Sequence, residues 1–212
     1  MEEKQFTCTD CWKVTCNKQN FPYPEECRTV HMDQDLFQEA LAEYEDPVNK
    51  KVMEVAAQIE GNYYCKATRV EETLLFAEKM GAKKIGIATC VSTIAEARTF
   101  AKILRKKGFE PCGVACKIGN KDKTEIGIQD KNKIHPGCHE AMCNPIMQAK
   151  LLNQEKTDLN VMLGLCVGHD ALFLKYSQAP TTVLFTKDRV TGNNAVQPLY
   201  LMESYYAKLM RD

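Results

Sequence analysis

The chain has 212 residues, 44% of them hydrophobic, with no apolar run of about 18 or more, so it reads as a globular protein of single-domain size without a membrane span. Basic and acidic residues number 28 each, and the basic ones form no block larger than Lys102, Arg105, Lys106 and Lys107, so charge gives no indication of nucleic acid as a partner. Eleven cysteines remain to be explained, an odd number that complete disulfide pairing cannot satisfy. The opening MEEKQFTCTD has neither the basic nor the apolar region of a secretion signal, so the expected location is the cytoplasm. Thiols stay reduced there, and cysteine groups more often bind metal or do redox chemistry.

Reading from the amino end, the first thiols are Cys8, Cys11, Cys16 and Cys27: a CxxC opening, then gaps of four and ten residues. The stretch is too short and too polar to fold on a core of its own, although Phe6, Trp12, Phe21 and Tyr23 interleave with the thiols as a modest apolar shell. One four-thiolate site in a loop-rich knuckle fits this spacing, with metal binding supplying ordering free energy on the order of 10 kcal/mol for structural zinc. The spacing departs from both the ferredoxin run and the paired CxxC of a zinc ribbon, so zinc and an iron–sulfur cluster both stay open. Residues 1–33 are thus expected to be a cysteine-rich metal-binding segment, and residues 34–212 an α/β body with a helical first part.

Helical periodicity follows over 34–44, 47–59 and 66–80, the last closed by Gly81. Arg69, Glu71 and Glu72 open that last helix, where carboxylates suit the dipole. From residue 83 short apolar runs alternate with amphipathic ones. KIGIA (84–88) reads as a strand, AEARTFAKILRKKG as a helix stopped by Gly108, and EPCGVAC (110–116) as a second strand. Residues 117–138 are a long polar segment without periodicity, expected to lie as a flap over a site. The next helix opens with Asn144 as N-cap and Pro145 at its first position. LNVMLGL (159–165) is a buried strand, 170–177 a short helix, TTVLFT (181–186) a fourth strand and 202–210 a helical tail. This alternation predicts an α/β fold: a Rossmann-like open, mostly parallel sheet of about four strands with flanking helices.

A second set of thiols falls at the ends of these elements. Cys90 follows the first strand, Cys116 ends the second, Cys166 follows the third, and Cys143 precedes the N-cap of the intervening helix. Open parallel sheets bind ligands beyond the carboxyl ends of their strands, so the four thiols are expected in one crevice. There they would suit a tetrahedral zinc ion (Zn2+) or an iron–sulfur cluster, the helix N-terminus favouring the thiolate of Cys143. A lone buried cysteine is usually a small hydrophobe, and Cys65 and Cys112 are read that way. His135, Cys138 and His139, close to Cys143 in HPGCHEAMC, stay open between zinc ligation and a surface role.

In GLCVGHD (164–170), Gly164 and Gly168 would let backbone approach a ligand, and His169 and Asp170 join them as candidate cofactor-binding residues. The glycines match neither the dinucleotide nor the phosphate-loop fingerprint, so Asp170 as a helix cap and His169 as a core histidine stand beside that reading. Lys187, Asp188 and Arg189 leave the fourth strand at the same edge, for an anionic ligand or as surface ion pairs.

The runs TRVEETLLFAEKMGAKKIGIATC, MCNPIMQAKLLNQEKTDLNVMLGLCVGHD and APTTVLFTKDRVTG, with CTDCWKVTC near the amino end, resemble an uncharacterised family of predicted metal-binding proteins, domain of unknown function 1847. The resemblance spans nearly the whole chain; it implies metal binding and assigns no activity. It further implies that Cys8, Cys11, Cys16 and Cys27 match the family's N-terminal thiols and Cys90, Cys116, Cys143 and Cys166 those of its body, with Cys138 and His139 as local departures. The expectation is a cysteine-rich metal-binding protein of iron–sulfur redox or electron-transfer type, with one centre in the knuckle, one at the strand ends, and a redox partner protein. The alternatives are a zinc-binding structural or metal-handling module, and a thiol-dependent enzyme with Cys143 as nucleophile and His169 as base.

Overall fold

The structure is a computed structural model that describes residues 6–211. Among them are eight α-helices: α1 (Arg28–His31), α2 (Gln34–Ala42), α3 (Pro47–Tyr63), α4 (Arg69–Met80), α5 (Ile94–Lys106), α6 (Pro145–Gln154), α7 (His169–Tyr176) and α8 (Gln197–Tyr200). Four strands accompany them: β1 (Lys84–Thr89), β2 (Glu110–Ala115), β3 (Leu159–Leu163) and β4 (Thr181–Phe185). The chain divides into two compact units, Met1–Ala57 and Gln58–Asp212.

The first unit is made of short turns and helices with little interior. Between residues 6 and 54 no described residue is buried. Local hydrogen bonds therefore carry its order: the Asp33 carboxylate accepts from the N–H groups of Asp35 and Leu36 to start α2, and Asp46 does the same for Val48 and Asn49 at α3.

The second unit holds the sheet, ordered β2-β1-β3-β4 with every pairing parallel, as the alternating pattern predicts. β1 and β3 are central and buried nearly throughout, because helices cover both faces. On one face Ile85, Ile87, Val161 and Leu163 pack with Ala77 of α4 and with Ala97, Phe100 and Leu104 of α5. On the other, Ala88, Val114 and Met162 pack with Ala149 and Leu152 of α6 and Phe173 of α7. Burying side chains of this size stabilises by about 1.5–3 kcal/mol each, so the strand ends are fixed by a core on either side.

Two polar details set the strand positions. Asn160 is fully buried in β3, its amide oxygen accepting from Thr157 Oγ1 at 2.8 Å and its nitrogen donating to Ser177 Oγ at 2.8 Å. A Cβ at Gly86 would stand 2.0 Å from that amide oxygen, so the central strand needs glycine there. On edge strand β4, Arg69 donates to the Val183 carbonyl and the Thr182 hydroxyl, covering polar groups that would otherwise invite strand pairing.

One segment differs from the sequence reading. The tail expected as a helix over 202–210 is turns ending in a 3-10 turn, Ala207–Met210; its apolar residues Tyr205, Leu209 and Met210 are mostly exposed, and a helix without a buried face lacks its main source of stability. The long loop after β2 carries two 3-10 turns, Lys123–Ile126 and Asp130–Asn132, and is pinned by a bridge between Asp122 and Ala141.

Candidate functional site

The chain passes from β1 to β2 on one side and then returns to β3 on the other side of β1, which places a topological switch point between the carboxyl ends of β1 and β3. Such crevices bind ligands because the loops from neighbouring strands diverge there. Cys90 is the residue after β1, Cys116 the residue after β2, and Cys166 lies in the turn from β3 to α7. Backbone bonds tie these turns together: Cys116 N–H donates to the Thr89 carbonyl at 2.8 Å, and Asn144 N–H donates to the Cys116 carbonyl at 2.7 Å. Asn144 caps α6 by accepting from Met147 N–H, so the cap that starts the helix also delivers Cys143 to the strand ends.

Two buried side chains lock the arrangement from below. Thr93 lies within hydrogen-bonding reach of the Cys90 and Leu163 carbonyls at 3.1 and 3.3 Å and of the Thr89 hydroxyl at 3.1 Å. Gln148, fully buried one turn into α6, donates Nε2 to the Thr89 and Val114 carbonyls at 3.1 and 2.7 Å. Its Oε1 accepts nothing from the described residues. Gln148 and Thr93 escaped the sequence reading; the one available signal was a polar residue among the apolar positions Ile146, Ala149 and Leu152 of the helix.

The structure sets Cys116 beside both Cys90 and Cys143, close enough for its thiol to act on each of them. Cys90 and Cys116 are 6% and 2% exposed, while Cys143 is half-buried. Cys116 draws Cys90 down to about 4 against the opposing effect of burial, with help from Ser92 and the charge of Lys187. Cys143 is drawn down to about 5, again first by Cys116, then by Lys117 and His169. Cys116 moves the opposite way, pushed up by both neighbours and by burial. Thiolate is the form that binds metal and attacks electrophiles.

Cys166 stands beside this trio, its sulfur 3.1 Å from Nη2 of Arg189, whose guanidinium is held in its charged form first by Cys166 and further by Cys90 and Cys143. Three of the four thiols, Cys166, Cys90 and Cys143, thus lie within charge reach of one arginine. Of the four candidate cofactor-binding residues, His169 faces Cys143 electrostatically. Asp170 accepts the N–H of Ala171 at 2.8 Å. Gly168, with φ of 81°, starts α7. Gly164, with φ of 62°, is packed so closely that a Cβ would meet the Thr93 side chain at 2.8 Å and the Phe185 ring at 3.0 Å. What this structure gives at Gly164 is a tight strand exit.

In the first unit, Cys8, Cys11, Cys16 and Cys27 together line a cavity of about 130 Å³, with Phe6, Val14 and Pro24 among its walls. Cys27 is held below the usual thiol range by the hydroxyl and N–H of Thr29, bonds that favour thiolate sulfur. Trp12, Phe21 and Tyr23 do not enclose the group; Trp12 is 97% exposed.

The remaining thiols stay apart from both sets. Cys65 is exposed between α3 and α4. Cys112 packs in β2 against the second core cluster, and burial raises its pKa. Cys138 is exposed, and His139 is engaged by Asp122 and Asn120 at 3.3 and 3.2 Å. That contact belongs to an ionic network in which nearly buried Lys133 meets Asp122 at 2.9 Å and Asp130 at 3.0 Å.

Among the described residues, no group of three or more histidine, cysteine, aspartate or glutamate side chains is disposed to hold a metal ion as it stands. The donor set is nevertheless the right chemistry, since sulfur ligands alone serve zinc and iron–sulfur clusters. Nor, among the described residues, is any helix long and apolar enough to cross a membrane.

Comparison with known proteins gives the chain a family and no chemistry. Residues 27–184 match the family described as "Protein of unknown function (DUF1847)". An uncharacterized protein of Methanocaldococcus jannaschii is 45% identical over 193 residues, which cover 91% of this chain and 94% of that protein. No solved structure matches. The chain belongs to the DUF1847 family.

Proposed function

We propose that this DUF1847 protein is a cysteine-ligated metalloprotein of redox type, in which Cys90, Cys116, Cys143 and Cys166 hold an iron–sulfur cluster at the sheet edge and Cys8, Cys11, Cys16 and Cys27 hold a second centre. The supporting observation is that Cys90, Cys116 and Cys143, delivered by three separate elements, neighbour one another through Cys116 at the carboxyl edge of the sheet. Sulfur-rich contact of that kind is costly as plain packing, because three ionisable thiols share one site. It is useful where a cation takes up their charge.

Two features favour a cluster over a single ion. The N-terminal cavity, about 130 Å³, exceeds several-fold the roughly 30 Å³ share of one water and so has room for more than one atom. Hydrogen bonds to sulfur, from Arg189 to Cys166 and from Thr29 to Cys27, are among the means by which proteins set cluster potentials. A bound cluster would supply one-electron chemistry. The protein's own residues keep the thiols ionised and fix their positions, and an electron-donating or electron-accepting partner protein in the cytoplasm completes the reading.

The test is purification without oxygen, followed by iron, zinc and acid-labile sulfide assays and a visible spectrum. Iron with matching sulfide and a brown chromophore is the expected result. Two zinc ions with no sulfide and no colour would replace the redox reading with a zinc module. The lowered pKa of Cys143 beside His169 favours a second reading, a thiol-dependent enzyme. Metal-free protein in which Cys143 alone reacts rapidly at neutral pH would select it.

A further inference from the structure

Three basic side chains reach the thiol crevice from the loops after β2 and β4. Arg189 is exposed and touches Cys166, Lys187 is half-buried within charge reach of Cys90, and Lys117 is half-buried beside Cys143. Among the described residues no carboxylate lies within ion-pair distance of any of them, whereas Lys84, Lys123 and Lys133 elsewhere in the same unit are all paired. Two acidic groups of the same edge are engaged by backbone: Asp188 accepts the N–H groups of Val190 and Thr191 at 2.8 and 3.0 Å, and Asp170 accepts that of Ala171. Lys117 bonds the Ala141 carbonyl and otherwise faces the Cys143 sulfur, so a metal that took up the thiolate charge would leave its ammonium without a counter-charge.

We propose that Lys117, Lys187 and Arg189 form the receptor for a small oxyanion, a carboxylate or phosphate group, held at the mouth of the crevice against the metal centre. This rests on the metal reading of the thiols. Once Cys166 gives its charge to a metal, the guanidinium now bonded to that sulfur has a planar pair of N–H groups to offer a carboxylate or phosphate in bidentate fashion. Val167 and Gly168, both exposed in the turn before α7, leave the approach open. The substrate class of the centre is then an anionic small molecule.

The experiment uses protein purified without oxygen and assayed for metal in every sample. Inorganic phosphate and, separately, acetate are titrated in at constant ionic strength, followed by calorimetry and by the thiolate-to-metal absorption band. Saturable binding of one of them, showing which oxyanion is preferred, is the expected result. It should weaken about tenfold or more in Arg189→Gln with metal content unchanged. Arg189→Lys should keep the charge but lose most of the gain, because ammonium cannot reproduce the fork. Fully metal-loaded protein that binds neither anion, or binds equally well in the Arg189→Gln, Lys187→Gln double variant, overturns this inference and leaves the metal reading intact. Loss of metal from Arg189→Gln would make Arg189 a support for Cys166 and overturn its place in the receptor. Wild-type protein without metal overturns both readings.

Discussion

The two cysteine groups have four thiols each and opposite kinds of support. Cys90, Cys116, Cys143 and Cys166 sit on a sheet whose central strands are buried on both faces, with Thr93 and Gln148 fixing the turns beneath them. Cys8, Cys11, Cys16 and Cys27 sit in a stretch with no buried residue and an almost fully exposed tryptophan. One group is positioned by a fold that exists without it. The other has only local turns, so any ion it binds would have to supply much of its order. Equal ligand counts therefore need not mean equal roles.

Removing metal breaks this comparison most directly. Chelation under reducing conditions should abolish protease resistance over residues 6–31, a loss on the order of 10 kcal/mol of ordering free energy, while far-UV circular dichroism of the α/β unit barely changes. Simultaneous unfolding of both regions would show that the sheet edge depends on its metal as much as the knuckle does.

Core substitution tests the other side. Leu152→Ala, at a fully buried position between α6 and the sheet, should destabilise the second unit by about 2–5 kcal/mol in urea titration while leaving N-terminal metal content unchanged. Thr93→Val keeps the volume but removes the hydroxyl serving the Cys90 and Leu163 carbonyls. It should cost about 1–3 kcal/mol and shift metal content or thiol reactivity at the sheet edge more than at the knuckle.

The smallest effect expected is on the loop after β2. Asp122 is held well below the usual carboxylate range by the Thr124 hydroxyl, Lys133 and two backbone N–H groups. A depressed folded-state pKa stabilises the loop in full above the unfolded value, near 3.8, and that contribution is lost as pH falls below it. Hydrogen exchange of residues 120–140 should therefore quicken between about pH 4 and pH 2 before exchange in β1 and β3 does. Asp122→Asn should remove that acid sensitivity.

Much of the architecture was legible because its causes are local. The apolar runs at 84–88 and 159–165 announced central strands, and Asn144-Pro145 announced a helix start that the structure shows with Asn144 accepting from Met147 N–H. The tail at 202–210 misled because its apolar spacing carries no information about whether a face is available to cover it. At the site, Cys90, Cys116 and Cys166 could be placed near one edge from strand ends alone. The guanidinium on Cys166, the place of Cys116 between Cys90 and Cys143 and the support from Gln148 could not, since each depends on which strands are neighbours.

Sequence by itself determined the four strands, the helices between them, the parallel α/β class and the fact that four thiols fall near the ends of structural elements, because hydrophobic period and capping chemistry act over a few residues. Tertiary structure alone decided the order β2-β1-β3-β4, and with it which thiol lies between two others and which cations face them. Contact between residues as far apart as Cys90 and Cys116, or Cys166 and Arg189, is fixed by how two faces of one sheet bury their cores, and no local pattern encodes that choice.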